Sequence, residues 1–154
     1  MSVYARGRDR LSATHFLNVD LDIYSKQDLQ PLVKVLGRRV IVLYVGRERR
    51  KYSAHLEVAK NVRTADSAIW AFCGLIEGLP KPERALWNIA NVRSFSIGIQ
   101  AGMQPNPCDF IIRPKTVRAV SLLGAEIVLT IYALKTDSSA GGFKSPGIPA
   151  LSRK

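Results

Sequence analysis

Two stretches decide the fold: LDIYSKQDLQPLVKVLGRRVIVLY at residues 21–44 and FIIRPKTVRAVSLLGAEIVLTIY at residues 110–132. Each reads as an apolar strand, a helical stretch, Leu-Gly, a two-residue link and a run of β-branched residues. Gly37 and Gly124 stand at the same offset before Val40 and Ile127. A glycine there can take a positive φ, which ends a helix without the penalty a β-carbon would bring. The spacing predicts two βαβ-like units, an internal repeat, with helices over about 26–36 and 115–123.

Working outward, Leu17, Val19, Leu21 and Ile23 alternate with Asn18, Asp20 and Asp22, the period of a half-buried strand. Ser25 is expected to cap the helix that follows, with Asp28 in its first turn. The basic stretch GRERRK (46–51) precedes Tyr52, Ala54, Leu56 and Val58, which alternate with Ser53, His55 and Glu57. That pattern predicts a hairpin with a long basic turn. Thr64 can cap the next helix, which carries Ile69, Phe72, Cys73, Ile76 and Leu79 on one face. Pro82 opens a shorter helix bearing Leu86 and Ile89, and Phe95, Ile97 and Ile99 mark a fourth strand. Residues 110–112 read as a short strand before the second helix and last strand. The fold class expected is α+β: a mixed sheet of about five strands, ferredoxin-like in its first part, with a second βαβ-like unit and helices mainly on one face.

A length of 154 residues suits one domain, expected over 14–135 between a basic N-terminal tail (1–13) and a Ser/Gly/Pro-rich tail (136–154), both flexible. The longest apolar runs are far short of the ~20 residues a membrane helix needs, and no secretory leader is legible, so a cytoplasmic protein without membrane contact is expected. Cys73 and Cys108 lack paired spacing and read as free thiols. With 23 Lys and Arg against 12 Asp and Glu the net charge is +11, which favours a polyanionic or acidic partner. Part of that excess lies in the tails, at Arg6, Arg8, Arg10, Lys144, Arg153 and Lys154, where charge can serve solubility alone.

Residues 16–132, with their opening alternating strand, the helix end LIEGLP (75–80) and the closing Leu123-Gly124 before Ile127, Ile131 and Tyr132, resemble a bacterial family of small α+β domains of unknown function. The resemblance implies a compact α+β domain. It brings no reaction and no catalytic residue with it.

Two candidate surfaces emerge from the residues themselves. Arg47, Arg49, Arg50 and Lys51 in the hairpin, flanked by Tyr44 and Tyr52, are a candidate anion-binding group: phosphates need mobile cations and single-stranded bases stack on exposed rings. The bland alternative is a solvated turn whose charge blunts a strand edge. Asp20, Asp22, His55 and Glu57 fall by alternation on the polar side of two strands, joined by Ser94, Ser96 and Gln100. Converging carboxylates and an imidazole could serve acid–base chemistry or a hard metal ion; a sheet face meeting water looks the same. No zinc spacing, P-loop, Rossmann fingerprint or Ser-His-Asp order is legible, so neither metal nor cofactor is expected. The sequence therefore points first to a binding or interaction module, immunity-like with an acidic protein partner. A nucleic-acid-binding protein using residues 46–51 comes second, and a hydrolase or metal-dependent enzyme on the polar face third.

Overall fold

In the computed structural model, which describes residues 13–104 and 106–134, the chain builds one five-stranded mixed sheet. The strands are β1 (His15–Ser25), β2 (Val40–Glu48), β3 (Lys51–Val58), β4 (Val92–Gln100) and β5 (Glu126–Tyr132). Their spatial order is β2-β3-β1-β4-β5, with β4 and β5 parallel and every other pair antiparallel. Four helices accompany them: α1 (Gln30–Leu36), α2 (Ala65–Glu77), α3 (Lys81–Ile89) and α4 (Pro114–Leu122). The α+β class with helices on one side is thus the one the alternation predicts, because Leu21, Ile23, Leu56, Phe95 and Ile97 all turn inward and are essentially inaccessible.

That inner face packs on Leu32, Leu36, Ile69, Phe72, Ile76 and Trp87 from the helices. Removing a fully buried Leu or Ile from such a layer costs roughly 2 to 5 kcal/mol. Helix α1 lies beside α3, and α2 beside α4. Trp87 joins the two helix pairs, since its buried Nε1 donates to the carbonyl of Leu123 at 3.0 Å. Thr64 caps α2 as its sequence position predicts, its hydroxyl accepting from the amide of Ser67 at 3.2 Å.

Both glycines have positive φ, 55° at Gly37 and 63° at Gly124, and each stands between a helix and a strand. Three local expectations change. Helix α1 starts at Gln30 because Ser25 is buried at the end of β1, and residues 26–29 form a turn instead. In that turn the Ser25 hydroxyl accepts from the Gln27 amide, and the Asp28 carboxylate from the Gln30 amide. The segment 110–112 is not a strand: β5 pairs directly with β4, leaving no ladder position for it, and Phe110 and Ile112 pack against the core from a loop. The basic turn is short, because pairing continues through Arg47↔Tyr52 and Glu48↔Lys51 and leaves only Arg49 and Arg50 outside the strands. The expected tails lie outside the described residues, apart from Ala13. Among the described residues no helix is long and apolar enough to cross a membrane.

Candidate functional site

The outer face of the sheet has no helix over it, and β1 and β3 set its centre. Their register pairs Asp22 with His55 and Asp20 with Glu57, so the four residues singled out by alternation meet on one surface. The Asp22 carboxylate is held on both oxygens: one lies 2.6 Å from His55 Nδ1 and the other accepts from the Ser96 hydroxyl, also at 2.6 Å. Asp22 thereby fixes the orientation of the imidazole, while Nε2 of His55 has no protein hydrogen-bond partner among the described residues. The rings of Tyr24 and Tyr44 stand on either side, their centroids 5.6 Å and 6.0 Å from that of His55.

One residue along, Asn18 bridges the other pair, its amide donating to Asp20 at 2.9 Å and to Glu57 at 2.8 Å. Gly98 on β4 makes room for this bridge, because a β-carbon there would come within 2.6 Å of the Asn18 side-chain oxygen. The two carboxylates remain close enough to share a proton. Partial burial, then the charge of Glu57, then that of Asp22, raise the Asp20 pKa from 3.8 to about 6. Two adjacent carboxylates on a half-dry surface favour the neutral form of Asp20. On β4 the Ser94 hydroxyl donates to Glu126 of β5 at 2.6 Å, extending the polar network across four strands.

The chemistry of this face follows from its connections. His55 can accept or donate a proton at Nε2, while the Ser96 hydroxyl donates to Asp22 and not to His55, so His55 does not activate Ser96. Among the described residues no three His, Cys, Asp or Glu side chains are placed to hold a metal ion. The Asp22–His55 pair lies on an open surface, and the larger depression, about 1240 Å³, opens at the hairpin end of the sheet without including either residue.

The second candidate group divides. Arg47 turns to the helix side and lies over Tyr52, its guanidinium carbon 5.8 Å from the ring centroid. Lys51 turns to the outer face, its ammonium 4.0 Å from the centroid of Tyr24. Arg49 and Arg50 form the tip and border the depression, joined there by Lys26. Sequence reasoning linked neither Tyr24 nor Lys26 to the hairpin, because the register that brings the end of β1 against the start of β3 is a tertiary fact. Asn18 was also missed; its only signal was its place in the same alternating run as Asp20 and Asp22. Elsewhere, Cys73 is buried, with burial first and Glu77 second pushing its thiol up to about 11, and Trp70 is exposed with the Lys115 ammonium 4.5 Å from its ring centroid. No family model, curated protein or solved structure matches the chain.

Proposed function

We propose that the protein is a non-enzymatic interaction module whose outer sheet face docks a protein partner. The element order and the β2-β3-β1-β4 arrangement support the ferredoxin-like reading of its first part, and the resemblance to small bacterial domains of unknown function agrees with it. A cytoplasmic setting fits two free thiols.

The observation that carries the proposal is the distribution of charge. In a chain of net charge +11, the outer face, among the described residues, gathers the carboxylates of Asp20, Asp22, Glu48, Glu57 and Glu126 together with the cation of Lys51. Charge of one sign sorted onto one face selects a complementary surface and steers its approach. Net charge alone favours an acidic partner, and the hairpin end suits one; the sheet face calls for a partner presenting Lys or Arg. The rings of Tyr24, Tyr44 and His55 give that face a partly apolar centre, as interface cores have.

The test uses a lysine-rich peptide as the probe, with amide chemical shifts as the readout. The expected result is perturbation confined to residues near 18–24, 53–57, 94–96 and 126, abolished in the Asp20→Asn/Asp22→Asn/Glu57→Gln variant. Binding should also strengthen as pH rises through about 6, where Asp20 ionises. Shifts spread over the whole surface, or retained by the triple variant, would overturn the reading.

A second reading has one observation in its favour, the 2.6 Å contact of His55 Nδ1 with Asp22, which leaves Nε2 without a protein partner among the described residues. On that reading His55 is a general base and Asp22 positions it. A turnover assay on activated esters with a pH profile that His55→Gln flattens would support it, and equal rates in the variant and wild type would dismiss it.

A further inference from the structure

A depression of about 1240 Å³ lies between the hairpin tip, the end of β1 and the start of β4. It is open to solvent and lined by residues of three segments, 24–26, 48–51 and 91–92. Its walls combine the Tyr24 ring and Val92 with the cationic side chains of Lys26, Arg49, Arg50 and Lys51. Among the described residues, the ion pairs are Asp22–His55 and Asp66–Arg113, so no carboxylate within salt-bridge distance neutralises these four cations. Glu48 also borders the groove and opposes an anion there, but it stands against four positive charges.

Two further facts distinguish this end of the molecule from an ordinary solvated turn. Arg49 has φ 55°, the one non-glycine residue with positive φ among those described. A side chain in that conformation costs about 1 kcal/mol, and hairpin tips relieve it with Gly or Asn. Strain retained at a single position, with a guanidinium rather than a glycine, is the kind of local departure found at binding sites. Tyr24, in turn, is positioned by two neighbours: its ring makes an edge contact with His55, centroids 5.6 Å apart, and the Lys51 ammonium lies 4.0 Å from its centroid. An aromatic ring fixed beside a cluster of unneutralised cations matches a base next to its phosphate.

We propose that this groove binds the nucleotide units of single-stranded RNA, phosphates on Lys26, Arg49, Arg50 and Lys51 and a base against Tyr24. The inference goes beyond the docking function of the sheet face: the groove shares Tyr24, Glu48 and Lys51 with that face and adds the cations Lys26, Arg49 and Arg50. Phosphate contacts supply the affinity, and the ring adds a sequence-tolerant stacking surface.

The test is fluorescence anisotropy with a labelled oligouridylate, titrated against the full chain at several salt concentrations. The variant Arg49→Gly/Arg50→Ser removes two cations while relieving the strained φ, so it should fold at least as stably as the wild type. Its affinity is expected to fall about tenfold, with the magnitude of the salt slope smaller by about 1.4, the loss of two single-strand phosphate contacts. Removing two cations from the helix side, Lys34→Ser/Lys81→Ser, is expected to change affinity less than about twofold. Tyr24→Leu should weaken binding at all salt concentrations without changing the slope. Competition by uridine monophosphate at comparable affinity would assign the site to a free nucleotide, and binding by the oligomer alone to a polymer; both uphold the shared phosphate-and-base chemistry. Equal losses in the tip and helix-side variants, equally tight binding of polyglutamate, or no binding at physiological salt would overturn the proposal.

Discussion

Replacing Asp20 with Asn should stabilise the protein at pH 8 and do nothing at pH 3. In the folded chain the Asp20 pKa is raised from 3.8 to about 6, first by burial and then by Glu57 and Asp22. A carboxyl whose folded pKa is raised binds its proton more tightly in the native state than in the unfolded one. Its contribution to stability is therefore full below about 3.8 and is lost as pH rises through about 6. At about 1.4 kcal/mol per tenfold change in proton affinity, a fully desolvated group shifted this far would account for roughly 3 kcal/mol. Asp20 is only partly buried, and solvent screening reduces the expected effect to about 1 kcal/mol. Asn reproduces the protonated carboxyl: its oxygen can accept from Asn18 and its amide can donate to Glu57, with no charge to repel. Urea denaturation of wild type and variant across pH 3 to 9 measures the difference directly, and taking the difference cancels titrations common to both proteins. The expected curve rises from zero to about 1 kcal/mol with its steepest part between pH 4 and 6, equivalent to roughly 3 to 5 °C in Tm at the alkaline end. A variant less stable than wild type at pH 8, or a difference independent of pH, would refute this account of Asp20.

Other outcomes follow from single contacts. Gly37→Ala should cost on the order of 2 kcal/mol, since φ 55° with ψ −133° is open essentially to glycine alone. Gly124→Ala, at φ 63° and with the Arg93 guanidinium 3.3 Å from a new β-carbon, should cost about 1 kcal/mol, and denaturant midpoints will rank the two. Trp87→Phe leaves the buried Leu123 carbonyl without its indole donor and should cost about 1 to 3 kcal/mol, seen as a lower Tm with an unchanged far-ultraviolet spectrum. In the native protein a thiol reagent should modify Cys108 and spare Cys73, whose thiol is both buried and raised to about 11; mass mapping of the labelled peptide will tell them apart.

Much of the fold was legible because its causes are local. Period-2 alternation put Leu21, Ile23, Leu56 and Phe95 on one side and Asp20, Asp22, His55 and Glu57 on the other, and the structure keeps both sides as read. Gly37 and Gly124 were readable because positive φ is a property of a single residue. Two of the three misreadings show equally physical causes. Ser25 has the chemistry of a helix cap, but burial at the end of β1 commits its hydroxyl to a turn. The apolar trio at 110–112 has the composition of a strand, but a strand needs an open ladder position, and β5 occupies the one beside β4.

The candidate surfaces divide in the same way. The sequence by itself determined which residues face outward on each strand, the basic character of residues 46–51, the Thr64 cap and the glycines that end helices, since each depends on neighbours along the chain. Only the tertiary structure decided that Asp22 grips His55 while Asn18 bridges Asp20 and Glu57, that Tyr24 and Lys26 stand beside the hairpin tip, and that negative charge collects on the open face of a strongly basic protein. Those juxtapositions depend on strand order and register, which bring together residues tens of positions apart; the pairing energies that set them come from the whole buried face, and no short stretch of sequence contains them.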